Sequence, residues 1–259
     1  MEPLIPPFFY SVLLLLGMLA MLEIGRRLAV RHHPAESGAG KDNLATLEAA
    51  VFALFGLLIA FAFSGAAERF QEKRMMVAEE ANAIGTAYLR VDLLAAPAQP
   101  QIRDWFREYV DSRLETYRRL PDMKAAGVEM EKSKKLQSEI WNAGVAATRL
   151  PDSHPSAALL LLPALNSMID ISTTRAMELQ NHPPRIVYWL LFALGLLCSL
   201  LAGYRMAIRL QRSWLHMVVF PLVTAVVIYV MIDIEYPRFG LIRLERADQV
   251  LVEVRQSMK

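Results

Sequence analysis

Four apolar runs, each about 20 residues long, constrain the fold of this chain more than any other feature of its sequence. They cover residues 8–28, 47–67, 186–204 and 214–232. A membrane-spanning helix needs about 20 mostly apolar residues to cross a hydrocarbon core roughly 30 Å thick. The sequence therefore predicts an all-α integral membrane protein with four transmembrane helices.

A fifth apolar run, at residues 157–165, is too short to cross a membrane. It is better interpreted as a buried helix segment or as a piece that lies against the membrane. Pro221 lies inside the fourth long run. Neighbouring helices can satisfy the carbonyl that a proline leaves unpaired, so Pro221 predicts a kink rather than the end of a helix.

The region between the second and third runs, residues 68–185, is predicted to be a helical extramembrane insert. Apolar residues such as Ile102, Phe106 and Tyr109 recur there at intervals of three and four, as on one face of an amphipathic helix. Turn-forming stretches interrupt the pattern: PAQP (97–100), LPDMKAAG (120–127) and LPDSHP (150–155). The insert therefore contains about four helices, and the first continues the second transmembrane helix to about Leu94. Residues 1–67 hold the first two spans, and residues 186–259 hold the last two spans and a C-terminal tail.

Basic residues are concentrated in the two short loops between spans. The first loop carries Arg26, Arg27, Arg31 and Lys41, and the other carries Arg205, Arg209 and Arg212. Because short basic loops favour the cytoplasmic side, this distribution favours an insert and termini outside the cytoplasm. Arg69, Lys73 and Arg74 directly after the second span favour the opposite orientation.

Composition excludes several kinds of function. The net charge of +2 gives no argument for nucleic-acid binding. The five histidines lack metal-ligand spacing, and the single cysteine, Cys198, cannot form an intrachain disulfide. The stretch GAGK (38–41) lacks the preceding strand and the spacing of a phosphate-binding loop, and no Gly-x-Ser-x-Gly motif occurs. The sequence therefore predicts no enzyme, no metal and no cofactor.

One face of the second span is a candidate pore lining. Phe55, Ile59 and Phe63 follow one another at intervals of four residues, with Ser64 directly after them. Around the axis of a symmetric oligomer, such bulky apolar side chains would form a hydrophobic constriction. The alternative is that they contact lipid or other helices.

Polar candidates cluster in three stretches outside the centres of the spans. They are Glu79, Glu80, Asn82 and Tyr88 in EEANAIGTAY, Asp170 and Arg175 in IDISTTRAMEL, and Asp233 and Glu235 at the end of the fourth span. The two adjacent carboxylates could bind a cation or a proton, or they could line a vestibule. Alternatively, Glu79 is solvated and Glu80 pairs with an insert arginine such as Arg113 or Arg175. Asp233 and Glu235 lie at the membrane boundary, where a charge costs less than at the centre.

Several stretches together resemble the bacterial bestrophin-like domain proteins. They include GLLIAFAFSGAAERF, VAEEANAIGTAYLRVDLL, IRDWFREYVDSRL, IDISTTRAMELQNHPPRIVYWLL and DIEYPRFGLIRLERADQVL, in this order. The resemblance covers most of residues 45–255. Bestrophins are oligomeric anion channels with the same arrangement of four spans and an insert, and the line of Phe55, Ile59 and Phe63 resembles a bestrophin neck. The resemblance also implies that the termini and the insert are cytoplasmic, in contrast to the loop charges.

We therefore expect a multi-pass protein of the bacterial inner membrane that forms a homo-oligomeric ion channel, for anions by the resemblance, or a related transport protein. Its partners would be the lipid bilayer, further copies of the chain and an inorganic ion. The alternative is a non-conducting membrane scaffold or sensor whose insert binds a partner.

Overall fold

The computed structural model describes residues 6–32, 39–120, 122–179, 181–208, 214–237, 241–242 and 245–258. Within these ranges the chain forms eight α-helices. They are α1 Pro7–His32, α2 Ala39–Arg90, α3 Gln99–Arg118, α4 Met123–Ala147, α5 Ala157–Glu178, α6 Arg185–Ile208, α7 Trp214–Glu235 and α8 Glu245–Ser257. Two 3₁₀ turns, Val91–Leu93 and Ala96–Ala98, join α2 to α3. The helices belong to two compact units, and each unit is built from two separate stretches of the chain.

Unit 1 comprises Met1–Phe70 and His182–Ile242. Helix α1 packs against α6 and α7, and buried apolar side chains such as Met18, Phe55 and Leu191 fill the core of this unit. Three of the predicted spans correspond to α1, α6 and α7, and the second lies within α2.

Two glycines allow α1 and α6 to approach until their backbones touch. A Cβ atom added to Gly25 would overlap the Leu200 carbonyl oxygen, and one added to Gly203 would overlap the Leu22 carbonyl oxygen. Small residues have this role in membrane helix pairs because association depends on close van der Waals contact rather than on a hydrophobic driving force.

Unit 2 comprises Gln71–Asn181 and Arg243–Lys259. Helix α3 packs against α4 and α8, and α4 packs against α5. The amphipathic pattern of the insert accounts for this core, because Ile102, Phe106 and Tyr109 are all buried. The Asp122 side chain caps α4 by accepting hydrogen bonds from the Lys124 and Ala125 amides.

The described part of residues 68–185 is helical, as predicted, and the second span continues as one helix, which ends at Arg90. The position of this region outside the membrane stays a prediction. It also adds two features. Among the described residues, five helices rather than the predicted four are long and apolar enough to cross a membrane, because α5 meets the same criterion of length and composition. The run at 157–165 forms the first part of α5, with Leu161 and Leu165 buried in unit 2. Helix α8 lies in the stretch that was predicted only as a C-terminal tail.

Candidate functional site

Helix α2 is the least covered of the five apolar helices. Only 11% of its most apolar stretch is buried, against 28% to 39% in the other four. Its uncovered surface in unit 1 carries a line of small residues, which are Ala49, Ala53, Gly56, Ala60 and Ser64. The large apolar side chains of Leu54, Leu57 and Phe61 are exposed beside this line. No other atom lies within 4 Å of the place that a Cβ of Gly56 would occupy. A line of small residues of this kind permits close packing of another helix.

The three bulky candidates of the second span do not share one environment. Phe55 is buried against α1 and α6, Ile59 is half-buried, and Phe63 is 37% exposed next to the exposed Ser64. Successive residues of an α-helix are about 100° apart, so two positions eight residues apart differ by about 80°. Phe63 and Ser64 therefore lie on the uncovered face, and Phe55 packs inside the protomer.

In unit 2, a buried carboxylate joins three helices. Glu80 on α2 has no exposed surface and accepts hydrogen bonds from Arg113 Nε on α3, at 2.5 Å, and from Arg175 on α5. Arg175 also donates to Asp248 on α8, at 3.1 Å. The guanidinium carbon of Arg175 lies 3.7 Å from the centre of the Tyr117 ring, which places the cation over the aromatic face. The interpretation that Glu80 pairs with an insert arginine is confirmed for both arginines.

The electrostatics of this cluster hold Glu80 ionised. The apolar stretch of α2 ends near Ala67, and the charged residues that follow place Glu80 outside the predicted span. Burial would raise the pKa of Glu80, but the charges and hydrogen bonds of Arg113 and Arg175 outweigh it and lower the pKa below its ordinary value of 4.5. Burial likewise lowers the pKa of Arg113, and the neighbouring Tyr117 and Glu80 raise it by more. The cluster therefore links helices rather than exchanging protons near neutral pH.

The remaining candidate residues in unit 2 lie on different faces of α2 and α5 and do not form one site. Glu79 and Asn82 are exposed, whereas Glu80, about 100° around the helix from Glu79, is buried. Tyr88 is 6% exposed and makes an edge contact with Phe106, with ring centroids 5.7 Å apart. Asp170 is exposed and accepts a hydrogen bond from Asn166 on its own helix. The structure therefore brings Glu80 and Arg175 together, and places Glu79 and Asn82 on a common exposed face.

A second buried carboxylate lies at the end of α7 in unit 1. The Glu235 side chain has no exposed surface and accepts hydrogen bonds from Arg69 on α2, at 2.9 to 3.1 Å. His182 Nδ1 lies 3.2 Å from Glu235 Oε1, and the His182 ring stacks on Tyr236 with ring centroids 4.4 Å apart. Arg69 also lines a cavity of about 270 Å³ whose other walls are mainly apolar side chains of α2 and α6. This arrangement fixes the end of α7 to α2.

Asp233, the neighbouring acid, is fully buried and organises the backbone after α7. Its oxygens accept hydrogen bonds from the Leu241 amide, at 3.1 Å, and from the Ile242 amide, at 2.8 Å. We expect Asp233→Ala to lower the free energy of unfolding by about 2 kcal/mol, because a buried donor left without an acceptor costs about 1–3 kcal/mol. Thermal unfolding in detergent measures this change.

The exposed Asp170→Ala is the matched control for that measurement, with an expected change within about 0.5 kcal/mol. Equal unfolding temperatures for the two variants would contradict the role given to Asp233.

Three residues of these clusters were not found from sequence, namely Arg69, His182 and Asp248. Arg113, by contrast, was predicted as a possible partner of Glu80. Its position in the sequence indicates burial, because it lies among the apolar positions Tyr109, Leu114 and Tyr117 on the buried face of α3. An arginine on an apolar stripe needs a buried partner. His182 and Asp248 have no such signal, because their partners are brought together only by the tertiary fold.

These helices, with their uncovered apolar surfaces, define a multi-pass helical membrane protein. The Bestrophin-like domain matches residues 23–248, and the chain belongs to this family. A comparison with curated proteins found no match.

Two solved structures of a bacterial bestrophin homologue from Klebsiella pneumoniae share the fold. One, with a tyrosine-to-alanine substitution, has a TM-score of 0.62 and 14% sequence identity, and the match covers 95% of this chain and 99% of the other. The other, with a leucine-to-threonine substitution, has a TM-score of 0.63 and 14% identity, with 97% and 98% covered. At this identity the likeness concerns the fold.

Proposed function

We propose that the protein is a homo-oligomeric ion channel of the bacterial inner membrane, in which the uncovered face of α2 lines the conduction pathway. The observation that supports this most directly is the low coverage of α2, of which only 11% of the apolar stretch is buried. A membrane helix that faces only lipid has no need of small residues, whereas Ala53, Gly56, Ala60 and Ser64 suit either a neighbouring copy or an aqueous path. Rotational symmetry would repeat this face around a common axis.

The family relationship supports the same class of function. Bestrophin homologues are anion channels, and the relationship alone would favour anions here. In the proposed pathway Phe63 forms an apolar constriction next to the hydroxyl of Ser64, while Ile59 borders it and Phe55 supports it from inside the protomer.

Cysteine modification tests the lining. Cys198 is buried and is the only cysteine, so the unmodified chain should not respond to a charged thiol reagent. In Ser64→Cys the reagent is expected to reduce ion flux into liposomes severalfold, because it adds bulk and charge inside a narrow path. Fluxes of potassium and chloride are measured separately.

Leu13→Cys is the matched control, because Leu13 is 71% exposed but lies on α1. The reagent is expected to leave flux through this variant unchanged. Equal inhibition of both variants, or a monomeric protein in mild detergent, would argue against a pore lined by α2.

A scaffold or sensor remains the second candidate, and one observation favours it. Leu89 near the end of α2 is 69% exposed and Leu159 on α5 is 75% exposed, both in unit 2. Exposed apolar side chains of this size can mark a protein interaction surface. Absence of any ion flux from a folded oligomer would favour this second function.

A further inference from the structure

The uncovered face of α2 continues into unit 2, where it becomes polar. Exposed positions recur every three to four residues, at Gln71, Met75, Glu79, Asn82 and Thr86. The intervening positions Val77, Glu80, Ala81 and Ile84 are buried in the core of unit 2. The exposed face is therefore one side of the helix, lined mostly by side chains that suit contact with water.

Acidic and basic residues are distributed unequally on this segment of α2. Of its acids, Glu72 and Glu79 are exposed, and only Glu80 is buried. Of its bases, Lys73 is only 4% exposed, and Arg90 is half-buried and donates to the Leu160 carbonyl. Arg74 is exposed, and its guanidinium donates to Gln71. The face that α2 presents to solvent thus carries an excess of carboxylate.

We propose that the channel selects cations and that Glu79 is the residue that determines this selectivity. This inference rests on the proposed function, because it requires copies of α2 around a common axis. Symmetry then converts one exposed Glu79 into a ring of carboxylates, with Asn82 amides one turn further along the helix. Acidic rings attract cations and repel anions, whereas anion pathways use arginine or lysine.

The adjacent glutamates separate this role from a structural one. Glu80 is neutralised by two arginines and cannot contribute to the potential of an aqueous path. Within the described part of the chain Glu79 has no such pairing, and it lies on the face shared with Asn82. A substitution at Glu79 therefore changes the charge of the exposed face and leaves the buried cluster intact.

The test is the reversal potential of the purified full-length protein in planar bilayers under a potassium chloride gradient. The unmodified chain is expected to favour potassium over chloride. Glu79→Gln is expected to lower the potassium-to-chloride permeability ratio severalfold, and Glu79→Lys to shift it further towards chloride. Glu131→Gln is the matched control, because Glu131 is an exposed acid on α4, and it should leave the ratio unchanged.

The outcomes distinguish the two proposals. A channel that prefers chloride, or a ratio unchanged in a conducting Glu79→Gln variant, overturns cation selection while the channel itself stands. Absence of conductance for either ion from a folded oligomer removes the channel and with it the selectivity.

Discussion

Replacing Gly203 by alanine is expected to lower the free energy of unfolding by about 3 kcal/mol or more. Overpacking a well-packed core costs about 1–3 kcal/mol when side chains can move away. Here the added methyl group would overlap the Leu22 carbonyl oxygen, so the backbones of α1 and α6 must separate. Gly25→Ala is expected to have a similar effect, because its methyl group meets the Leu200 carbonyl from the opposite helix. Thermal unfolding of the purified variants in detergent measures both.

Gly127→Ala is the matched control for these substitutions. Gly127 lies inside α4, and nothing lies within 4 Å of the place that its Cβ would occupy. Alanine there should stabilise the helix by about 0.5–1 kcal/mol, since glycine has the greater backbone freedom to lose on folding. If Gly203→Ala were as stable as Gly127→Ala, the backbone contact between α1 and α6 would be wrong.

The second large effect is expected at Glu80. Glu80→Gln keeps the shape of the side chain but leaves Arg113 and Arg175 as buried cations without a carboxylate between them. Removing one partner of a buried ion pair costs about 3–5 kcal/mol, because the charge that remains is uncompensated. Unfolding followed by fluorescence or circular dichroism should show this loss at pH 7.

The pH dependence of stability provides a separate measurement of the same cluster. The pKa of Glu80 is lowered from 4.5 in the folded chain, so its ion pairs contribute fully above that ordinary value. This contribution is lost as the pH falls below 4.5 through the lowered pKa. Wild-type stability is therefore expected to fall over this acidic range, and the variant should lack that component.

Glu79→Gln is the control for stability, because it removes an exposed carboxylate one position away. Its unfolding temperature should stay close to that of the wild type. Equal losses in the two variants would mean that Glu80 is not buried between the arginines.

Helix positions could be predicted from the sequence because they depend on local patterns. The run at 186–204 lies within α6, Arg185–Ile208, and the run at 47–67 lies within α2. The absence of proline after Ala67 correctly predicted that α2 continues into the insert, and prolines at 97 and 100 correctly marked where the next helix begins. In each case the energy that decides the structure comes from neighbours in sequence.

The environment of each side chain was harder to predict. Glu79 and Glu80 are neighbours, yet one is exposed and the other has no exposed surface. A rotation of about 100° per residue separates them, and only the position of α3 and α5 decides which one faces inwards. Positions eight residues apart differ by about 80° around the helix axis, which likewise separates the buried Phe55 from the exposed Phe63. The ion pair between Arg69 and Glu235 depends on residues 166 positions apart, which no local pattern reveals.

Helix α8 has a consequence for how the chain is made. Leu251 of α8 has no exposed surface in unit 2, and Arg255 donates to Asp111 on α3 at 2.8 Å. During synthesis α8 leaves the ribosome after all the other helices described above. The insert helices therefore lack their last packing partner while α6 and α7 enter the membrane. Domains usually fold as units as they emerge. Here the insert can reach its final form only after translation of the membrane helices is complete, which ties its maturation to successful membrane insertion.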